Sequence, residues 1–295
     1  MARHSEESNA ARRRLIVTAD DLGASREVNE AVVRAHREGV LRFASLMVGE
    51  EAAREAVDRV KRECPGLGVG LHLTLCSGRS VLGFGRVPGL VDADGCFSDD
   101  PVRCGLRYFF ETDLRGYLEA EMRAQFERFL GFGLPPAHVD GHVNIHMHPV
   151  VFPLLVRLAR EYGFKRVRAT GGEMRAHLSN PGVRALPQRL IEGGVFAWMR
   201  RYLLRAWGDS RLEVPDRVYG LLRSGLMKED YVVSCLKALP PGTTEMYFHP
   251  SADPATAVGD RPAPTHRSYS ELQTLLSPRV REVLEVADIE LVSGT

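Results

Sequence analysis

The chain has 295 residues, 44% hydrophobic and 26% charged, the composition of an ordinary globular protein and enough for one large α/β domain or two small ones. With 39 basic and 38 acidic residues the formal net charge is +1, so no overall field draws nucleic acid or an anionic membrane. The five cysteines are scattered, odd in number and without a Cys-x-x-Cys pair; this argues against a disulfide framework or a thiolate zinc site and points to reduced thiols in a cytoplasmic protein.

In chain order, residues 1–13 are polar, lack the apolar core of a signal peptide and run into the basic Arg12-Arg13-Arg14; they read as a disordered tail before a domain spanning 14–295. No later stretch is apolar for long enough to span a bilayer. Leu15 to Ala19 reads as a buried strand that runs out into Asp20, Asp21 and Gly23. A helix follows, with Ser25 as N-cap, Glu27 in its first turn, Val28, Ala31, Val32 and Ala35 at helical spacing, and Gly39 as its stop. Phe43 to Val48 reads as a second strand, and Ala53, Ala56, Val57 and Val60 as the inner face of a second helix. Leu67 to Leu71 forms a third strand into His72.

Residues 78–110 break the rhythm with glycines, Pro88 and Asp92-Ala93-Asp94-Gly95, a long excursion of the kind that is usually functional. Leu114, Leu118, Met122, Phe126 and Phe129 then share one face of an amphipathic helix ending near Gly131–Gly133. A strand into His142, a helix from Val150 to Tyr162 and a strand from Arg166 to Ala169 come next. A second irregular region, 171–215, holds a helix around Trp198 to Trp207, and the last strands are Glu245 to Phe248 and Ile289 to Val292. Such alternation fits an α/β fold, a single-domain (β/α) barrel of TIM type, distorted or incomplete, with two irregular insertions. A doubly wound sheet is the alternative, but no Gly-x-Gly-x-x-Gly follows the first strand to mark a dinucleotide site.

Side chains alternate along a strand, so Asp20 and Asp21 can do two jobs at one site, one holding a metal and one handling a proton. The segment His138-Val139-Asp140-Gly141-His142-Val143-Asn144-Ile145-His146-Met147-His148 is richer still. Its even spacing puts four imidazoles on one face if extended, and 142/146 share a face if the chain turns helical. Neutral imidazole is the commonest nitrogen ligand for divalent metals. His72 and His249 each end an apolar strand, and alone each is as readily a satisfied core histidine. Together with Asp20, Asp21 and His142 they fall at downstream strand ends, which in a barrel share one rim. A His, His and Asp set leaves coordination positions open, as a catalytic metal site requires.

Thr18-Ala19-Asp20-Asp21-Leu22-Gly23, Gly70-Leu71-His72-Leu73, His138-x-Asp140-Gly141-His142 and Phe248-His249-Pro250 resemble the motifs of the YdjC-like carbohydrate deacetylases, over residues 14–292. Leu90 to Gly95, Gly105 to Phe110 and Ser277 to Arg281 look most like the branch associated with hopanoid biosynthesis. The resemblance implies a metal-dependent hydrolase that removes acetyl from an N-acetylated amino sugar, in that branch one carried on a hopanoid lipid. It implies Asp21, His72 and His142 as metal ligands, Asp20 as general base, His249 as second catalytic residue and Arg168 as a catalytic arginine of the site, sharing the oxyanion charge with the metal. His138, Asp140, Asn144 and His146 are read as substrate contacts. Leu22 stands where the family usually has phenylalanine, and Asn144 where histidine is frequent, so a proton relay at 144 is not expected.

The implied cofactor is one divalent ion, zinc or magnesium, with manganese or cobalt also compatible. The implied partner is an N-acetylated sugar or glycolipid, with no nucleic acid. The competing readings are a barrel that binds sugar or metal without turnover, and another metal-dependent hydrolase or isomerase on the same fold, although those generally need more carboxylate ligands than this chain offers. Two aromatic groups, Leu106, Tyr108, Phe109 and Phe110, then Phe196, Trp198, Met199, Tyr202, Leu203 and Trp207, are expected to pack inward. Peripheral membrane contact, helped by Arg200, Arg201 and Arg205, is the alternative for them.

Overall fold

The computed structural model describes residues 12–180, 187–207, 212–256 and 267–294. The expected disordered tail therefore lies outside the described residues, apart from its last two positions; Arg13 already begins the first strand.

That strand, β1 (Arg13–Leu22), is buried along nearly all its length because its apolar run has sheet on both edges. Its partners are β2 (Phe43–Leu46), β7 (Gly242–Phe248) and β8 (Ile289–Leu291), all parallel. With β3 (Gly68–Leu73), β4 (His138–Gly141), β5 (Arg166–Val167) and β6 (Arg217–Tyr219), the strand order is β5-β4-β3-β2-β1-β7-β6. The order never reverses at a switch point, so the doubly wound alternative is not what forms. It is a curled parallel sheet, a half-barrel whose outer strands β5 and β6 share no ladder. Isolated backbone bonds cross that seam, Val167 N to Glu213 O at 2.9 Å and Val218 N to Gly171 O at 3.0 Å.

A regular TIM barrel would seat β8 between β7 and β1. Here β7 pairs with β1 from Arg13 to Ala19, and β8 is displaced to the opposite edge, where it shares β1 with β2. Leu15 O accepts from Val292 N, and Val17 O, two residues on and so on the same edge, accepts from Arg42 N.

Helices cover the outside. In α1 (Arg26–Glu38) the Ser25 hydroxyl accepts from Val28 N at 3.3 Å and the expected apolar face is buried. The same holds for α2 (Ala53–Glu63). The excursion at 78–110 contains a helix that periodicity did not suggest, α3 (Pro101–Phe110), started by Asp100, whose carboxylate accepts from Val102 and Arg103, and by Pro101 at its first position. Next comes α4 (Arg115–Gly131), which buries Leu118, Met122, Phe126 and Phe129 completely. Phe126 meets Phe164 edge-on at 5.1 Å. Then follow α5 (Val151–Glu161), α6 (Met174–Leu178), α7 (Pro187–Trp207), α8 (Glu229–Lys237), α9 (Tyr269–Leu276) and α10 (Pro278–Val286). No helix among the described residues is long and apolar enough to cross a membrane.

Candidate active site

The downstream end of β1 does not continue its regular alternation. The β1–β2 register shifts between Ala19 and Leu22, and Asp21 adopts φ 65°, a left-handed conformation unusual for a residue other than glycine. Gly23, at φ 91°, turns the chain where an added Cβ would lie 3.1 Å from the Ala53 Cα. The kink brings both carboxylates to one cavity of about 1230 Å³, instead of to opposite faces of the sheet.

Three polar atoms converge there. His72 lies on β3 opposite Asp140 on β4, and its Nδ1 is 2.8 Å from Asp140 Oδ1. That contact turns Nε2 toward Asp21, whose Oδ1 is 3.4 Å away. His142 follows β4, and its Nδ1 stands 2.8 Å from the same Asp21 Oδ1. Despite that short distance, Asp21 Oδ1 and His142 Nδ1 are buried without an aligned hydrogen bond. Two unsatisfied acceptor atoms and a third oriented by a carboxylate, with one ligand atom from each residue within 4.8 Å of the others, fit a divalent cation. Burial favours the neutral form of Asp21, yet His142, His72 and Arg267 hold its carboxyl well below the usual range. Arg267 donates to Asp21 Oδ2 at 3.1 Å.

Behind the triad sits Arg168, 1% exposed, at the end of β5. Its Nη1 and Nη2 donate to the two oxygens of Asp20 at 2.7 and 2.8 Å. Nε reaches Glu245 at 3.0 Å, and Nη2 also meets Glu245 and Asp140, each at 2.8 Å. Burial opposes the charge, but Asp140, Asp20 and Glu245 keep the guanidinium firmly protonated. Thr18 Oγ1 donates to Glu245 at 2.9 Å and Ser45 Oγ to Asp140 at 2.7 Å. A second acid–imidazole group, Asp20, His72 and Asp140, is also close enough to share an ion, but Arg168 already engages both carboxylates.

The expectation that even spacing aligns the histidine-rich segment fails after Gly141. The chain enters a short 3-10 segment, His142–Met147, in which Val143 and Asn144 take φ 47° and 57°. His142 faces the cavity, but His138, Asp140 and His146 do not line it. They are buried to 1% or less exposure, which corrects their reading as substrate contacts. His138 Nε2 lies 3.0 Å from Ser45 Oγ, and Gly70 must be glycine because a Cβ there would collide with the His138 carbonyl. Burial pulls both His138 and His146 down to about 3, so both are neutral. Asn144 does line the cavity; its Oδ1 accepts from Thr170 Oγ1 at 2.7 Å. His249, after β7, also lines it, with Nδ1 3.5 Å from Ser224 Oγ. Its backbone N–H donates to Glu271 at 2.5 Å. Sequence reasoning missed Glu245, Ser45, Arg267 and Glu271; none sits in a motif, and the signal for Glu245, Ser45 and Glu271 is a charged or polar residue inside or beside an apolar run, while Arg267 lies in a polar stretch that gives none.

The sequence pattern described as "YdjC-like protein" matches residues 14–286. The chain belongs to the YdjC-like family. Carbohydrate deacetylases of Brevibacillus brevis and Geobacillus stearothermophilus are 43% and 41% identical to it over 149 and 148 residues. Those spans cover 50% of this chain and 56% of each relative, so the YdjC-like chain matches little more than half their length. A carbohydrate deacetylase of Thermoanaerobacter pseudethanolicus is 28% identical over 240 residues, 80% of both chains. A solved Enterococcus faecalis structure, named as a candidate for cellobiose-phosphate cleavage, superposes with TM-score 0.73 at 22% identity, covering 96% of this chain and 98% of its own. That likeness carries the fold of the YdjC-like chain and nothing finer.

Proposed function

We propose that this YdjC-like chain is a metal-dependent carbohydrate deacetylase that hydrolyses the N-acetyl amide of an amino sugar. The observation that carries the reading is the convergence of Asp21 Oδ1, His72 Nε2 and His142 Nδ1 on one cavity that Asp20 and His249 also line. Asp21, His72 and His142 hold the ion, and their two-nitrogen, one-oxygen donor set favours zinc over magnesium. Bound there, a divalent ion supplies an activated water and polarises the acetyl carbonyl.

The chain's own groups do the rest. Asp20, clamped by two Arg168 hydrogen bonds, is oriented as the base that removes the proton from water. Arg168 is a positioning residue in this scheme, since its donors are turned onto carboxylates and it does not line the cavity. His249 gives a proton to the departing sugar nitrogen, so acetate and a free amine leave. Asn144 bridges Thr170 and Tyr247 at the cavity wall, a shaping role and not a relay. Resemblance to the hopanoid-associated branch supports a glycolipid acceptor, with the domain acting in the cytoplasm as a single TIM-like unit.

Purified chain loaded with zinc and given an N-acetylglucosamine-bearing substrate is expected to release acetate. Asp20→Asn is expected to lower the rate by about 10²–10⁴ while bound metal, measured by elemental analysis, is retained. Full activity in that variant overturns the role of Asp20, and bound zinc without any acetate release by the unmodified chain points to a binding module.

A further inference from the structure

Two helices beside the cavity turn apolar faces to solvent. On α7, Ile191, Val195, Trp198 and Tyr202 recur at helical spacing and are 69%, 47%, 64% and 51% exposed. The Trp198 and Tyr202 rings stack on each other at 5.7 Å. On α3, Val102, Leu106, Phe109 and Phe110 are 69%, 56%, 50% and 71% exposed. The expectation that these groups pack inward is met in part: Tyr108 and Leu203 are buried and Phe196, Met199 and Trp207 pack against the core, whereas Leu106, Phe109, Phe110, Trp198 and Tyr202 face solvent. Scattered exposed apolar residues are ordinary, whereas two runs of them flanking one opening mark an interaction surface.

The apolar surface is continuous with the cavity. Val102 and Val143, the latter 40% exposed, line its mouth, and Phe196 and Met199 line it from the inner side of α7. The unpaired charges carried by the two helices themselves are basic, while the exposed carboxylates nearby, Asp99, Asp100, Glu111 and Asp113, sit at the ends of α3. Arg201 and Arg205 on α7 are exposed and have no carboxylate partner among the described residues, and exposed Arg103 on α3 makes no ion pair there, although its charge helps hold the Glu111 carboxyl down. The one acidic residue of α7, Glu192, faces the cavity and is bound to Arg189 at 3.3 Å. α3 contains no acidic residue; Asp100 is turned onto its N terminus and Glu111 is paired with Arg107 at 2.9 Å.

We propose that α3 and α7 form a membrane-docking face that seats the cavity mouth on an anionic lipid surface. Aromatic and aliphatic side chains along one helix face with arginines at its border are what an interfacial helix needs: the rings enter the headgroup boundary and the guanidinium groups pair with lipid phosphates. A second copy of the chain fits less well, because an isologous contact would bring the same three arginines toward themselves with no carboxylates on either face to receive them. Docked this way, the cavity opens toward sugars held at a bilayer surface. The docking face stands on its own geometry and needs no turnover.

The test is flotation of the full zinc-loaded chain with vesicles of phosphatidylcholine alone or mixed equally with phosphatidylglycerol. Association with the anionic vesicles is expected, falling on neutral vesicles and at high salt, with a blue shift in tryptophan emission. Phe110→Asp combined with Trp198→Asp is expected to weaken partitioning about tenfold or more, with an unchanged melting temperature because both side chains are solvent-exposed. Arg201→Glu with Arg205→Glu is expected to remove the preference for anionic vesicles while leaving the fold intact. The proposal is overturned if the chain stays out of both vesicle fractions, if the Phe110/Trp198 variant floats as well as the parent, or if sizing shows a dimer that the Trp198 change dissociates and that ignores lipid. Acetate release from a soluble sugar is read in parallel: its loss with vesicle binding intact sinks the deacetylase reading alone.

Discussion

One guanidinium, that of Arg168, balances three buried carboxylates. It is fully buried and bonded to Asp20, Asp140 and Glu245, so removing it leaves three buried carboxylates without their counter-charge. Arg168→Met is expected to cost about 3–5 kcal/mol of stability, read as a shifted denaturation midpoint, and to cost activity beyond that because Asp20 loses its clamp. Combining it with Glu245→Gln should return part of the stability and none of the activity, which separates the charge balance from the positioning of Asp20. The residue scale also holds a pH effect away from Asp21, His72 and His142. Burial pushes the Glu271 carboxyl from its ordinary 4.5 up to about 8, even though the Met227 and His249 backbone N–H groups favour its ionised form. The folded chain then keeps a proton that the unfolded chain releases, so this stabilisation is full below about pH 4.5 and is lost as pH rises through about 8. Glu271→Gln should flatten that part of the stability–pH curve, measured by denaturation at a series of pH values, and an unchanged slope would assign it elsewhere.

Among the elements, α4 shows how far local pattern reaches. Leu114, Leu118, Met122, Phe126 and Phe129 were readable as one apolar face, and the helix forms with that face buried; only Leu114 falls outside it, in the turn before. Phe126→Ala is expected to destabilise by about 3–5 kcal/mol, since Phe126 is fully buried against Phe164 and Tyr162; equilibrium unfolding checks it. Other elements escaped the pattern for identifiable reasons. α3 shows its start only in the Asp100-Pro101 cap, because most of its apolar residues face solvent and blur the periodicity. β6 has three residues, too few for a period to emerge. The histidine-rich segment misled because alternation holds only while the backbone stays extended, and Val143 and Asn144 turn left-handed.

Over the whole molecule, the site exists only because the sheet is curled. Asp21, His72 and His142 come from β1, β3 and the turn after β4, and the β3–β4 register sets His72 against Asp140. A ligand that binds only this assembled geometry stabilises it by mass action. Zinc at about a hundredfold excess over its dissociation constant should add about 2.7 kcal/mol, seen as a raised melting temperature that a chelator reverses. His142→Gln should remove most of that increment, and a zinc response unaltered in this variant would place the ion elsewhere.

The sequence by itself determined the elements with a clean period, the cap at Ser25, the parallel strand–helix alternation and the set of rim residues Asp20, Asp21, His72, His142 and His249. These follow from local chemistry: side-chain spacing, capping hydrogen bonds, and the rule that strand ends carry a barrel's polar groups. Only the tertiary structure decided that Asp21 kinks toward the histidines, that Arg168 serves Asp20 from behind, that His138, Asp140 and His146 lie in the core, and that β8 leaves the barrel's regular place. Each of these depends on register, a bulge or a partner far along the chain, and such contacts are fixed by packing between elements, which no local pattern of residues encodes.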